Sequence, residues 1–253
     1  PQRDGGTHLA GLRSELFDLQ AQLATMQRED AMVHPEVNEN IIAEVIADWT
    51  GIPVGDMLKD EATMLLEIED RLREVIRGQD EAINQIADSI RSAKAGMGNP
   101  DAPLAVFMMV GPSGVGKTET ARMLADLMFG GEKFLTSINM SEYQEAHTVS
   151  QLKGSPPGYV GYGEGGVLTE AVRQRPYCVV LLDETEKAHI DVMELFYQVF
   201  DRGMMRDGEG REIDFRNTVL IMTSNLATDE IVTMCGGDVR RRSTVIGRPF
   251  GRR

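Results

Sequence analysis

Cysteine is nearly absent from this sequence, which has only Cys178 and Cys235 among its 253 residues. Two cysteines cannot build the disulfide framework of a small secreted domain, so we expect a reducing, cytoplasmic location. Long apolar runs are also absent, and we find neither a stretch able to span a bilayer nor a signal-peptide pattern. The sequence therefore predicts no membrane span.

Basic side chains are outnumbered, with 26 Lys and Arg against 40 Asp and Glu and a formal net charge of −14. Nucleic acids and anionic membranes are bound by clustered cations, so we expect proteins and nucleotides as partners instead. The four histidines lack metal-ligand spacing. Residues 239–253 differ in holding six arginines and no acid, which predicts a domain boundary. This end is either unstructured or an arm that binds something acidic.

What the sequence does contain is a phosphate-binding motif. It reads Gly111, Pro112, Ser113, Gly114, Val115, Gly116, Lys117 and Thr118, between an apolar strand at 104–110 and a helix at 119–129. Backbone N–H groups of such a loop can wrap a polyphosphate at the positive end of the helix. Lys117 would reach the β- and γ-phosphates, and the Thr118 hydroxyl would bind Mg²⁺. The alternative is a glycine-rich turn that matches by chance.

Polar residues end two further apolar strands, predicted at 177–182 and 218–223. Ligands of parallel α/β sheets gather at the carboxyl ends of strands, so these residues are expected to face the same nucleotide. Asp183 would hold Mg²⁺ through water, and Glu184 would orient and polarise the attacking water. Asn225 could bond the γ-phosphate or the lytic water. The alternatives are acidic capping of a helix and an ordinary turn asparagine.

Residues 154–166 are rich in glycine and proline and are expected to form an exposed, mobile loop. Tyr159 and Tyr162 lie on this loop with no core to enter. An exposed aromatic ring is suited to gripping another protein, so Tyr159 is a candidate contact residue. The alternative is a ring that folds back on its own loop.

Elsewhere, apolar periodicity predicts helices and strands that alternate along the chain. Helices are predicted at 9–26, 37–49, 59–76, 82–95, 167–174 and 191–200, and a further strand at 134–140. Such alternation predicts an α/β fold with a parallel sheet and helices on both faces.

In this order the segments resemble a Clp-type AAA+ unfoldase, in particular its second ATPase module. The matching segments are residues 49–54, 78–82, 111–118, 139–142, 156–161, 168–173, 183–184 with 186–189, and 214–218. The resemblance covers about residues 33–235 and implies a helical lead-in with the adenine side at 33–100 and an AAA+ P-loop core at 101–235. The apolar periodicity predicts a helical segment within 1–32, and the change in charge marks a basic tail at 236–253.

The resemblance also implies roles and partners. ATP and Mg²⁺ would be bound, and a homo-hexamer would thread protein clients through its pore. Tyr159 would lie on the pore loop, Asn225 would be the sensor beside the γ-phosphate, and Val75 and Ile76 would lie against the adenine. Lys117, Glu184 and Asn225 would serve hydrolysis.

Within the family, residues 144–150, 152–154 and 161–166 are most similar to the ClpV-type ATPases of type VI secretion. That similarity implies disassembly of a contracted secretion sheath. A general Clp-type disaggregase, or a nucleotide-binding fragment without turnover, are the alternatives.

Several parts of the family pattern have no match after Cys235: the arginine finger, the fifth core strand and the helical lid. We therefore expect a fragment or natural truncation of a longer protein. Because an arginine finger contributes a factor of about 10³ to 10⁵ in rate, we expect poor hydrolysis by this chain alone. The strand at 104–110 is expected to be an uncovered sheet edge.

Overall fold

The computed structural model describes residues 11–13, 15–19, 22–23, 37, 41–42, 45–46, 49, 61–159, 161–163, 165–226, 228 and 244–247. The chain divides into two compact units, residues 1–45 and 46–253. The described residues within 9–26 are all helical, as the apolar periodicity predicts. No helix among the described residues has the length and apolar character needed to cross a membrane.

A parallel sheet forms the centre of the second unit. Its elements and those around it are α1 (Glu61–Val75), α2 (Asp80–Lys94), β1 (Ala105–Val110), α3 (Lys117–Phe129), β2 (Leu135–Asn139), α4 (Val149–Lys153), α5 (Val167–Gln174), β3 (Val179–Asp183), α6 (Ile190–Arg202), β4 (Met204–Arg206), β5 (Glu212–Asp214), β6 (Val219–Ser224) and β7 (Thr244–Gly247). The strand order is β2-β3-β6-β1-β7, and the first four strands are parallel.

Apolar residues cover both faces of this sheet because neighbouring strand residues point to opposite sides. Phe107, Leu181 and Ile221 join one buried cluster with apolar residues of α1, α2 and α3. Val180 and Leu220 join a second cluster with apolar residues of α5 and α6. A strand buried on both faces reads as a continuous apolar run, which is why these strands were visible in the sequence.

The predicted α/β fold is confirmed, and the predicted elements of the second unit agree with the structure to within a few residues. The β4–β5 hairpin and the short helix α4 were missed. Each has only a few residues, too short for periodicity to mark. The turn of the hairpin is stabilised by the side chain of Asp207. Its Oδ1 accepts hydrogen bonds from the backbone N–H groups of Glu209 and Arg211, both at 2.9 Å.

The edge beside β1 is covered, so the prediction of an uncovered edge without a fifth strand is wrong. Residues Thr244–Gly247 pair antiparallel with Phe107–Val110. The prediction of an unstructured tail is wrong for these four residues. A strand edge offers unpaired N–H and C=O groups, and the β-branched run from Thr244 to Ile246 has the strand propensity to fill it. Residues 236–243 and 248–253 lie outside the described residues.

Candidate nucleotide-binding site

The site lies where three neighbouring strands end. Strands β3, β6 and β1 are adjacent and parallel, so their carboxyl ends share one edge of the sheet. The phosphate loop leaves β1 at this edge, and the backbone N–H of Gly111 donates to the carbonyl of Ser224 at 3.2 Å. The loop therefore begins next to the end of β6, in agreement with the prediction that the polar strand ends and the phosphate loop lie at the same edge of the sheet.

The conformation of the loop depends on glycine. Gly114 and Gly116 have φ values of 81° and 97°, in the left-handed region that favours glycine. Gly116 directly precedes α3, and its carbonyl accepts hydrogen bonds from the backbone N–H and the hydroxyl of Thr120, at 2.9 and 2.8 Å. The loop thus leads directly into a helix N-terminus, where free N–H groups favour an anion.

Lys117 ties the phosphate loop to the end of β6. Its Nζ donates to the carbonyls of Gly111 and Pro112, at 2.6 and 3.0 Å, and to Oδ1 of Asn225 at 2.8 Å. Burial lowers the pKa of Lys117, and the nearby carboxylate of Asp183 opposes that shift. Two predicted site residues that are 108 positions apart in sequence are therefore in direct contact.

Thr223 connects β6 to the acidic end of β3. Its hydroxyl donates to Oδ1 of Asp183 and accepts from the backbone N–H of Glu184 at 3.1 Å. In return, the hydroxyl of Thr185 donates to the carbonyl of Thr223 at 2.9 Å. These three bonds fix both predicted acids against the neighbouring strand.

Glu184 has a left-handed backbone, with φ of 59° and ψ of 47°. Among the described residues it is the one non-glycine residue with positive φ, a conformation that costs about 1–3 kcal/mol and is often found at functional sites. Its Oε2 accepts from Nζ of Lys187 at 2.7 Å, and this bond raises the pKa of Lys187. The side chain is 30% exposed, so solvent reaches the carboxylate.

The sequence did not predict the hydrogen bonds that three residues of this network make: Thr185, Glu186 and Thr223. Thr223 is 1% exposed and Thr185 is 6% exposed. A hydroxyl at the end of an apolar strand is a usable signal, because a buried polar group must find a partner. Glu186 accepts from the backbone N–H of Asn225 at 3.1 Å, and nothing in its sequence context marks that contact.

The two residues predicted to lie against the adenine, Val75 and Ile76, differ in their exposure. Ile76 is 5% exposed and, with Gln79, Val115 and Gly116, lines a small cavity beside the phosphate loop. Val75 is 47% exposed and is not among the residues lining that cavity. A cavity of about 290 Å³ near Met97 and Leu104 lies at the start of β1, the opposite end of the strand from the site.

Tyr159 is exposed, as predicted, with 71% of its surface accessible. The base of its loop is closely packed: the N–H of Gly208 in the hairpin turn donates to the carbonyl of Lys153 at 2.8 Å. A Cβ atom on Gly166 would overlap the carbonyl oxygen of Leu152, so only glycine fits where the loop returns. Tyr159 therefore lies on a loop whose base is held by close backbone contacts.

The donor set fits a nucleotide bound together with magnesium. The described residues contain no group of three or more His, Cys, Asp or Glu that could hold a metal ion alone. Mg²⁺ characteristically binds one or two protein oxygens together with phosphates and water. The hydroxyl of Thr118 and the carboxylate of Asp183 are chemically suited to this, next to a loop shaped for phosphates.

Known proteins with sequences similar to this chain belong to one family of ATPases and chaperones. Residues 102–245 match the family model described as AAA domain (Cdc48 subfamily). The chain is 60% identical to the chaperone protein ClpB of Yersinia enterocolitica over 86% of its length and 57% identical to the AAA+ ATPase ClpV1 of Pseudomonas aeruginosa over 88%. The aligned parts are 24% and 25% of those two proteins, so the chain spans about a quarter of their length.

Substituting Thr223 tests the hydroxyl network. We expect Thr223→Val to lower the free energy of unfolding by about 1–3 kcal/mol, because a buried N–H and a carboxylate each lose a partner. Urea denaturation of the 253-residue chain measures this. Thr223→Ser keeps the hydroxyl and should recover most of the loss. Equal losses in both variants would show that packing, not the hydroxyl, stabilises this strand end.

Proposed function

Because the chain belongs to the AAA domain family, Cdc48 subfamily, we propose that it is the ATP-binding motor module of a Clp-type protein, in which ATP hydrolysis drives the unfolding of protein clients. The observation that carries this proposal is the hydrogen bond from Nζ of Lys117 to Oδ1 of Asn225, at 2.8 Å. It brings the phosphate loop and the predicted sensor together at the edge that holds Asp183 and Glu184.

In this proposal the loop from Gly111 to Thr118 binds the phosphates through backbone N–H groups, with Lys117 on the β- and γ-phosphates. Bound Mg²⁺, held by Thr118 and Asp183, would neutralise developing charge on the phosphates. The adenine base is proposed to bind on the side of the loop where Ile76 lines the small cavity. Val75 is proposed to contact the adenine next to Ile76.

Glu184 is proposed as the residue that orients and polarises the attacking water. Its position supports this role, because it directly follows Asp183 and its carboxylate is open to solvent. Asn225 places its side-chain amide beside Lys117, where it can contact the γ-phosphate or the water. Phosphoryl transfer depends mainly on positioning and charge neutralisation, which this arrangement of fixed groups supplies.

For the assembled protein we propose a homo-hexamer whose pore is lined by the Tyr159 loop. The proposed client is a contracted type VI secretion sheath, on the basis of the similarity in residues 144–150, 152–154 and 161–166. Aggregated proteins are the second candidate, since identities of 60% to a ClpB and 57% to ClpV1 do not separate the two clients.

Two substitutions separate binding from turnover. We expect Lys117→Ala to weaken ATP binding by about tenfold to a hundredfold, because it removes a cation from the phosphates. We expect Glu184→Gln to leave binding unchanged and to lower kcat by about a hundredfold or more. Binding is measured with a fluorescent ATP analogue on the 253-residue chain, and turnover by phosphate release from the full-length protein.

The matched control for Lys117→Ala is Lys94→Ala, an exposed residue at the end of α2. The matched control for Glu184→Gln is Glu194→Gln, an exposed residue of α6. Full turnover by Glu184→Gln would exclude Glu184 as the activating residue. If the unmodified full-length protein binds ATP without releasing phosphate, the module binds nucleotide without turnover and the motor proposal is wrong.

The client role of the loop is tested with Tyr159→Ala. We expect ATP hydrolysis to continue while client processing is lost, because the ring is 71% exposed and can contact another protein. Tyr162→Ala, on the same loop and 52% exposed, is the control. Retention of contracted sheath protein and rescue of heat-aggregated enzyme are measured side by side. Equal client processing by Tyr159→Ala and the unmodified protein would contradict the loop assignment.

A further inference from the structure

Glu186 is a partly buried acid that none of the roles above uses. It lies in the turn Thr185–Lys187 that follows the left-handed Glu184. The turn is held against β6 by the bond from the Thr185 hydroxyl to the carbonyl of Thr223. This directs Glu186 toward the end of β6, and its side chain reaches the backbone of Asn225.

The two oxygens of Glu186 have different surroundings. Oε1 accepts from the backbone N–H of Asn225 at 3.1 Å. Within the part of the chain that the structure describes, Oε2 is buried and has no hydrogen-bond partner. A buried carboxylate oxygen without a partner destabilises a fold, so the presence of Glu186 here is not explained by folding.

Asn225 is held at three points, and one of them is its carbonyl, which accepts from the hydroxyl of Thr228 at 2.5 Å. Its backbone N–H is bound by Glu186, and its side-chain Oδ1 accepts from Lys117 at 2.8 Å. Asn225 is the first residue after β6, so its backbone is no longer fixed by the sheet ladder. Without the bond from Glu186, the backbone N–H of Asn225 would lose its partner, and the residue would be held only by Lys117 and Thr228.

Electrostatics favour the same arrangement. Burial lowers the pKa of Lys117, while the charges of Asp183, Glu186 and Glu184 oppose that shift. A carboxylate close to the ammonium stabilises its charged form.

We propose that Glu186 is a positioning residue for ATP hydrolysis, which holds Asn225 so that its amide faces Lys117 and the γ-phosphate. The inference rests on the proposed ATPase function and does not place Glu186 in contact with nucleotide. It acts through Asn225, so its effect should fall on the rate of hydrolysis more than on ATP affinity.

The test compares Glu186→Ala with Glu186→Gln in the full-length protein. We expect Glu186→Ala to lower kcat about tenfold or more while changing the ATP dissociation constant less than about threefold, because the bond to Asn225 is lost. Glu186→Gln keeps an oxygen that can accept from the N–H of Asn225, so it should retain kcat within about threefold. Glu194→Gln, exposed on α6, is the matched control.

Thermal unfolding separates positioning from a merely structural role. Since burial of Oε2 is unfavourable, Glu186→Ala should unfold at the same temperature as the unmodified protein or higher. A fall in both the unfolding temperature and kcat would indicate a structural role and overturn the proposal. Unchanged kcat in Glu186→Ala, or equal losses in the Ala and Gln variants, would also overturn it.

A double-mutant cycle with Asn225→Ala adds a direct check. If Glu186 acts through Asn225, the second substitution should add little to the first. Additive losses would contradict the inference. Failure of the ATPase proposal itself is distinguishable, because the unmodified protein would then release no phosphate.

Discussion

The end of β6 is the structural feature on which the candidate site depends. Thr223 bonds the acids of β3, Ser224 accepts from the first residue of the phosphate loop, and Asn225 contacts Lys117. Three chain segments far apart in sequence are thereby fixed to one strand. Because this strand lies between β3 and β1 in the sheet, its register determines the relative position of the loop and the acids.

The site is held at some cost in stability. Glu184 adopts a left-handed backbone, and Glu186 buries an oxygen without a partner. The surrounding sheet can hold both, since β3 and β6 are buried on both faces and fix the start of the turn. Strain and unpaired polar atoms of this kind are expected where residues are placed for chemistry.

The sequence was most informative where the signal is local. The fully buried strands and the spacing of Gly111, Gly116 and Lys117 predicted the α/β fold and the phosphate loop without further knowledge. The contacts of Thr223 and Glu186 could not be predicted, because they link residues about 40 positions apart whose identity alone suggests no partner. The edge strand β7 was missed for a related reason: Thr244–Gly247 is a short strand beside a run of arginines, and only its pairing with β1 reveals it.

We expect phosphate binding to change the environment of the residues at the end of β6. The most direct measurement is a titration of the ¹⁵N-labelled 253-residue chain with a non-hydrolysable Mg·ATP analogue, observed by NMR. The amide signals of residues 111–118 and of Thr223 to Asn225 should shift together along one binding curve. Signals of Met97 and Asn217, at the other end of β1, should stay in place. Shifts confined to the cavity near Met97, with none at the end of β6, would show that the nucleotide does not bind at the strand ends.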